Sequence, residues 1–144
     1  MTLNVLTVSP ETTMDKVADI FAANSFHHLP VVNEDGAVAG IISSTDQHML
    51  EDHFTLFKQK DGGSANRAIL RSLLAKEVMT KKVAMVCPDD TLDYAVDIFR
   101  ENLFHALPVI DAEKKLIGII TPYDVMTWAF RQEPLISQQS AVGS

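Results

Sequence analysis

The chain holds one cysteine, one tryptophan and two tyrosines in 144 residues, and it has no surplus of positive charge. A lone Cys87 excludes an intrachain disulfide and suits a reducing compartment. Placed at the end of a β-rich run, it reads as a small buried side chain, not as a reactive thiol. Lys and Arg number 12 against 19 Asp and Glu, for a net charge of −7. The basic residues are scattered, with no stripe, which excludes nucleic acid and anionic membrane surfaces as partners. Apolar runs fall far short of the roughly 20 residues that span a bilayer, and no basic stretch leads into an apolar one at the N-terminus. The expected location is therefore cytoplasmic. A Walker-type glycine loop and a nucleophile–base–orienter set are both lacking, so no enzyme and no required cofactor is expected. His48, Glu51, Asp52 and His53 crowd one stretch, but the histidines are five apart, not the three or four that share a helix face. No metal is expected there.

What the chain does have is a repeat. Residues 1–46 recur as 79–124 at a constant offset of 78 without a gap, and 20 of the 46 paired positions are identical. Asp19-Ile20-Phe21 recurs as Asp97-Ile98-Phe99, and Phe26-His27-His28-Leu29-Pro30-Val31 as Phe104-His105-Ala106-Leu107-Pro108-Val109. Gly40-Ile41-Ile42-Ser43 and Asp46 recur as Gly118-Ile119-Ile120-Thr121 and Asp124. A fixed period marks stacked units, each too small to bury its apolar face alone. Two such units pack about a pseudo-twofold axis, and the seam between them offers two quasi-equivalent sites.

Each repeat reads as strand, helix, strand, strand, helix, an α+β pattern. Val5-Leu6-Thr7-Val8 and Val83-Ala84-Met85-Val86 are short β-rich runs closed by Pro10 and Pro88. Thr13 and Thr91 stand where a hydroxyl caps the next helix. Met14, Val17, Ala18 and Phe21, like Leu92, Ala95, Val96 and Phe99, recur at helical spacing. Residues 29–32 and 38–42 form a predicted hairpin around Glu34-Asp35-Gly36, matched by 107–110 and 116–120 around Ala112-Glu113-Lys114. Further helices are predicted from Asp46, from Asn66 and from Asp124, with a polar, glycine-containing mobile break over 58–64. The domain reading is 1–60 for the first motif and its trailing helix, 61–78 for the linker and connecting helix, and 79–132 for the second motif. A polar tail, 133–144, is expected to be poorly ordered.

With Leu-Pro-Val-Val or Leu-Pro-Val-Ile in its second strand, this doubled unit resembles a tandem pair of CBS domains, the Bateman module. So does Gly-hydrophobic-x-Ser/Thr-x-x-Asp at the last helix, met in full by Gly40-Ile41-Ile42-Ser43-Ser44-Thr45-Asp46 and Gly118-Ile119-Ile120-Thr121-Pro122-Tyr123-Asp124. The resemblance covers about residues 1–130. It implies two tandem β-α-β-β-α motifs about a pseudo-twofold axis, a homodimer through apolar terminal helices around Phe57 and Trp128, and an adenosine-containing ligand held between the motifs. An Asp opening a helix can accept two hydrogen bonds from a ribose diol, and a hydroxyl three residues earlier can meet ribose or phosphate. The same residues can also serve only as turn residues and N-caps.

By resemblance each site is shared between motifs. One combines Ser43, Thr45 and Asp46 with Thr80, Ala84, Phe104 and His105, its phosphate end near His27 and His28. The other combines Thr121, Tyr123 and Asp124 with Thr2, Leu6, Phe26 and His27, its phosphate end near His105 and Ala106. Neither has the arginine that the family often carries where His28 and Ala106 stand. The Asp46 site is expected to be the better furnished, since His28 can donate where Ala106 cannot. Thr2 is the less secure contact, because the counterpart of Lys76-Glu77-Val78 is missing before Met1; the chain is either natively short there or cut from something longer. His27 and His105 can equally hydrogen-bond the backbone at the strand entry. The functional expectation is a non-catalytic sensor of AMP, ADP, ATP or a related adenosyl compound. The alternatives are a ligand-free dimerisation or interaction module, such as a regulatory fragment of a larger enzyme or transporter, and, more remotely, a nucleotide hydrolase.

Overall fold

A computed structural model describes residues 5–47, 62–101 and 105–132, without the side chains of 62–66, 131 and 132. Thr2 and Phe104, the predicted helix over 48–57 with its histidines and Phe57, the polar stretch 58–61 and the tail 133–144 lie outside the described residues. The elements are α1 (Met14–Ala23), β1 (His28–Val32), β2 (Val38–Ser43), α2 (Gly62–Ser72), α3 (Ala75–Val78), α4 (Leu92–Arg100), β3 (Leu107–Ile110), β4 (Leu116–Ile120) and α5 (Pro122–Gln132). Residues 44–47 open a further helix directly after β2.

The 78-residue offset survives to the level of single hydrogen bonds. β1 pairs antiparallel with β2 as Leu29↔Ile42, Pro30↔Ile41 and Val31↔Gly40, then slips by one residue to Val32↔Val38. β3 and β4 repeat this as Leu107↔Ile120, Pro108↔Ile119 and Val109↔Gly118, slipping to Ile110↔Leu116. Gly36 closes the first hairpin at φ 90°, and its counterpart Lys114 holds φ 66° without being a glycine. Both turns therefore need the left-handed region, which a side chain enters at a cost of roughly 1 kcal/mol.

Burial runs continuously along β1 and β3, where Leu29-Pro30-Val31 and Leu107-Pro108-Val109 are all buried. Met14, Val17, Leu29, Val31 and Ile42 are fully buried in the first repeat, and Ala95, Leu107, Val109 and Ile120 occupy the same places in the second. Each large side chain so removed from water contributes about 1.5–3 kcal/mol.

The linker belongs to the first repeat. The Ala75 N–H donates to the Thr12 carbonyl (2.7 Å), Lys76 to Pro10 (3.0 Å) and Met14 back to Leu73 (2.8 Å). Leu70 and Ala75 sit in that repeat's core, and Arg67 reaches both oxygens of Asp19 (2.8 and 3.3 Å). Beyond α3 the chain crosses onto β2, where Ile41 and Thr80 exchange backbone bonds (3.1 and 2.9 Å). Gly40 permits this: a Cβ there would sit 2.7 Å from the Thr80 carbonyl oxygen and 2.6 Å from the Met79 sulfur.

Four local expectations need correction. Among the described residues, the runs before Pro10 and Pro88 touch the sheet only at Val8 and Val86, each a single parallel bridge to Val31 or Val109; Val5 and Leu6 instead line a cleft. Thr13 does not cap α1, because its hydroxyl donates to the Asp15 carboxylate. Thr91 does cap α4, accepting from the Tyr94 N–H at 3.1 Å. Cys87 is exposed, not buried, because it lies one residue beyond the bridge, where its N–H is taken by Asp90 (2.8 Å). Finally, α2 begins at Gly62, inside the expected break; packing of α2 on α1 outweighs the ~1 kcal/mol that glycine costs in a helix.

Candidate functional site

Both Ser/Thr-x-x-Asp turns close on themselves. The Ser43 N–H donates to Asp46 Oδ2 (3.2 Å) and the Asp46 N–H to Ser43 Oγ (3.0 Å). The Thr121 N–H donates to Asp124 Oδ2 (2.9 Å) and the Asp124 N–H to Thr121 Oγ1 (3.3 Å). This is the reciprocal cap that fixes where each helix starts. In each hydrogen-bonded pair only Oδ2 is engaged, and an ionised carboxylate has about four acceptor positions. Capping and ligand contact are therefore compatible, and the cap holds the carboxylate in one orientation.

The described residues bound a cleft of about 890 Å³ on the Asp124 side. Thr121, Pro122, Tyr123 and Asp124 form one wall with Ile119, and Val5, Leu6, Asn24, Ser25, Phe26, His27 and His28 form the other. Six of the residues assigned from sequence to the Asp124 site thus share one space. Tyr123 is 70% exposed and Leu6 46%, large apolar surfaces left uncovered beside a carboxylate. Phe26 is anchored edge-on to Phe21, with ring centroids 6.1 Å apart. Val5, Asn24, Ser25, Ile119 and Pro122 were not singled out in the sequence; only their adjacency to Leu6, Phe26 and the heptad signals them. Ala106 is buried and offers no side-chain donor.

On the other side, Ser43 and Asp46 are half-buried and Thr45 is exposed at the start of the 44–47 helix. Thr80 is drawn to β2 through Ile41, while Ala84 packs on the second core. The contribution of Phe104 lies outside the described residues.

Three histidines stand between the two turns. The His27 carbonyl accepts from the Ser44 N–H (2.8 Å), and His27 Nδ1 lies 3.4 Å from Ser44 Oγ. Its counterpart His105 cannot copy the backbone bond, since Pro122 has no N–H. His28 lines the Asp124 cleft, yet its pKa responds to the other side. Burial pushes it below the ordinary imidazole value, nearby His105 and His27 add to that, and Asp46 partly opposes it. The residue expected to favour the Asp46 site thus lines the cleft on the Asp124 side.

Two gapless repeats, each with this hairpin and this capped turn, match a family model for the CBS domain over residues 1–46 and 75–131. The chain belongs to the CBS domain family. As a CBS pair it is similar to CBSX2 of Arabidopsis thaliana, solved in complex with AMP, at 26% identity and a TM-score of 0.73, over 91% of each chain. The protein MJ1225 of Methanocaldococcus jannaschii is 31% identical with a TM-score of 0.74, over 89% of this chain and 45% of that one. The inosine-5'-monophosphate dehydrogenase of the same organism is 30% identical over 85% of this chain. The chain spans only 21% of that enzyme's length, so the likeness is to a part of it. Among the described residues of this CBS pair no helix is long and apolar enough to cross a membrane.

Proposed function

We propose that this CBS pair is a non-catalytic regulatory module that binds an adenosine-containing ligand, AMP, ADP, ATP or a related adenosyl compound, between its motifs. The observation that carries the reading is the cleft joining the Thr121–Asp124 turn to Leu6, Phe26, His27 and His28. Its volume suits a nucleotide, since small-molecule sites run to about 300–1,000 Å³. Val5, Leu6, Phe26 and Ile119 offer apolar surface to a base. The unengaged face of Asp124 takes the ribose diol beside His27, with the phosphate end near His105 and Ala106, while His27 and His28 form the phosphate end of the Asp46 site. Ser43, Thr45, Asp46, Thr80, Ala84, Phe104 and His105 form the counterpart, and Thr2 completes the Asp124 side. AMP bound to CBSX2 supports the ligand class.

The module acts in the cytoplasm as a homodimer and transmits ligand occupancy to a protein target. Dimerisation is supported by Tyr123, Met126, Trp128 and Phe130, all at least half exposed on α5. Those exposed apolar side chains equally favour the second reading, a ligand-free interaction module. Calorimetric titration with AMP separates the two. Saturable binding upholds the sensor, and no binding of AMP, ATP or S-adenosylmethionine leaves the interaction module.

A further inference from the structure

The cleft on the Asp124 side has a charge preference of its own. Of the twelve described residues that line it, Asp124 brings the one carboxylate, and none is a lysine or an arginine. The adjoining stretches 1–4 and 102–104 hold no basic side chain either. Burial keeps the pKa of His28 below the ordinary imidazole value, so its ring is mainly neutral near pH 7. Asn24 and Ser25 enter the lining from the C-terminal end of α1. That end carries about half a negative charge, and no basic residue lies in the last turn to offset it.

The N-terminus of α5 opens on the same cleft, and free N–H groups at a helix start can hold an anion. Here most of them are spent. The Thr121 N–H and hydroxyl both donate to Asp124 Oδ2 (2.9 and 3.2 Å), and the Asp124 N–H donates to Thr121 Oγ1 (3.3 Å). Pro122, between them, has no N–H to give. The donors that would cradle a phosphate are therefore either turned onto the carboxylate cap or absent from the chain chemistry. Acceptors remain free, because the cap engages only one oxygen of Asp124.

We infer that the Asp124 cleft selects adenosine compounds whose 5′ arm carries no phosphate, preferring an uncharged or cationic arm to a phosphorylated one. The inference rests on the adenosine-binding reading above and narrows it. A ribose diol donates, which suits a carboxylate with a free oxygen. A phosphate in the same space meets that carboxylate, the negative end of α1 and, among the described lining residues, no lysine or arginine. The net charge of −7 adds a repulsion at longer range.

The test follows backbone amide NMR shifts in the whole chain during titration with 5′-methylthioadenosine, S-adenosylmethionine and AMP. The Thr121 and Asp124 amides read this cleft, and those of Ser43 and Asp46 read the counterpart in the same titration. At Thr121 and Asp124 both phosphate-free probes should bind at least roughly tenfold more tightly than AMP, since like charges oppose only the phosphate. Ser25→Lys, at an exposed lining position, places a cation in the cleft and should raise AMP affinity about tenfold relative to 5′-methylthioadenosine. AMP binding there as tightly as either probe overturns the selection and leaves the adenosine reading standing. A Ser25→Lys chain in which AMP gains nothing relative to the thioether does the same. If none of the three moves the Thr121 and Asp124 amides, the selection and the adenosine reading of this cleft fall together.

Discussion

Ala37 pairs with Lys115, its own counterpart 78 positions later. A position that meets its own repeat image marks the pseudo-twofold axis, which runs between the two hairpins where the Leu116 N–H donates to the Gly36 carbonyl (3.0 Å). The seam and its quasi-equivalent sites are arranged about that point.

The turns beside the axis are unequal. Lys114 is held at φ 66° and Gly36 at φ 90°. Lys114→Gly should stabilise the chain by up to about 1 kcal/mol, and Gly36→Ala should destabilise it by about the same or more. Urea unfolding midpoints compare them; a destabilised Lys114→Gly would contradict the strain argument.

Gly40→Ala should be costly, since the added methyl meets the Thr80 carbonyl oxygen at 2.7 Å. Backbone cannot yield as a side-chain tip can, so a loss of about 1–3 kcal/mol is expected. Faster amide exchange at Ile41 and Thr80 would locate the damage. Unchanged exchange there would show that the approach relaxes elsewhere.

For the ligand, Asp124→Asn is the informative change. It keeps an oxygen for the Thr121 N–H, preserving the cap, but loses the charge. Hydrogen bonds to a charged group are worth about 1.5–3 kcal/mol each, so AMP affinity should fall at least roughly tenfold. Asp46→Asn, measured in the same titration, reports the counterpart site. Full affinity in the Asp124 variant would remove that cleft from the reading.

Stability should depend on pH through His28. Burial, with His105 and His27, depresses its folded pKa, and Asp46 only partly offsets this. The unfolded chain then binds the proton more readily. The contribution of His28 is fully present above about pH 6.5 and is lost as the pH falls through the window below it. Denaturation midpoints at descending pH should show this slope, and His28→Gln should reduce it. An unchanged slope would assign the effect to other groups.

Trp128→Glu should dissociate the proposed homodimer, because Trp128 is a large apolar side chain left half exposed on α5. Light scattering gives the assembly state directly. A monomeric unmodified chain would overturn the homodimer.

The sequence by itself determined the repeat and therefore most of the fold. A gapless offset with matching Leu-Pro-Val and Gly-Ile-Ile segments leaves two identical hairpin registers as the consistent outcome, because the two hairpins have turns of equal length. It also marked the capped Asp turns, whose hydrogen bonds are local. Tertiary structure decided what depends on distant chain. Thr13 reads as a cap until Asp15 captures its hydroxyl, and Cys87 reads as buried until the strand stops at Val86. His28 reads as belonging to the Asp46 site until packing places it in the lining of the cleft on the Asp124 side. Likewise, α1 and α4 carry the same acids, yet among the described residues only those of α1 meet a cation, Arg67, because the linker lies on the first repeat. Periodicity and spacing record the forces within an element; which neighbour covers it is decided only when the whole chain packs.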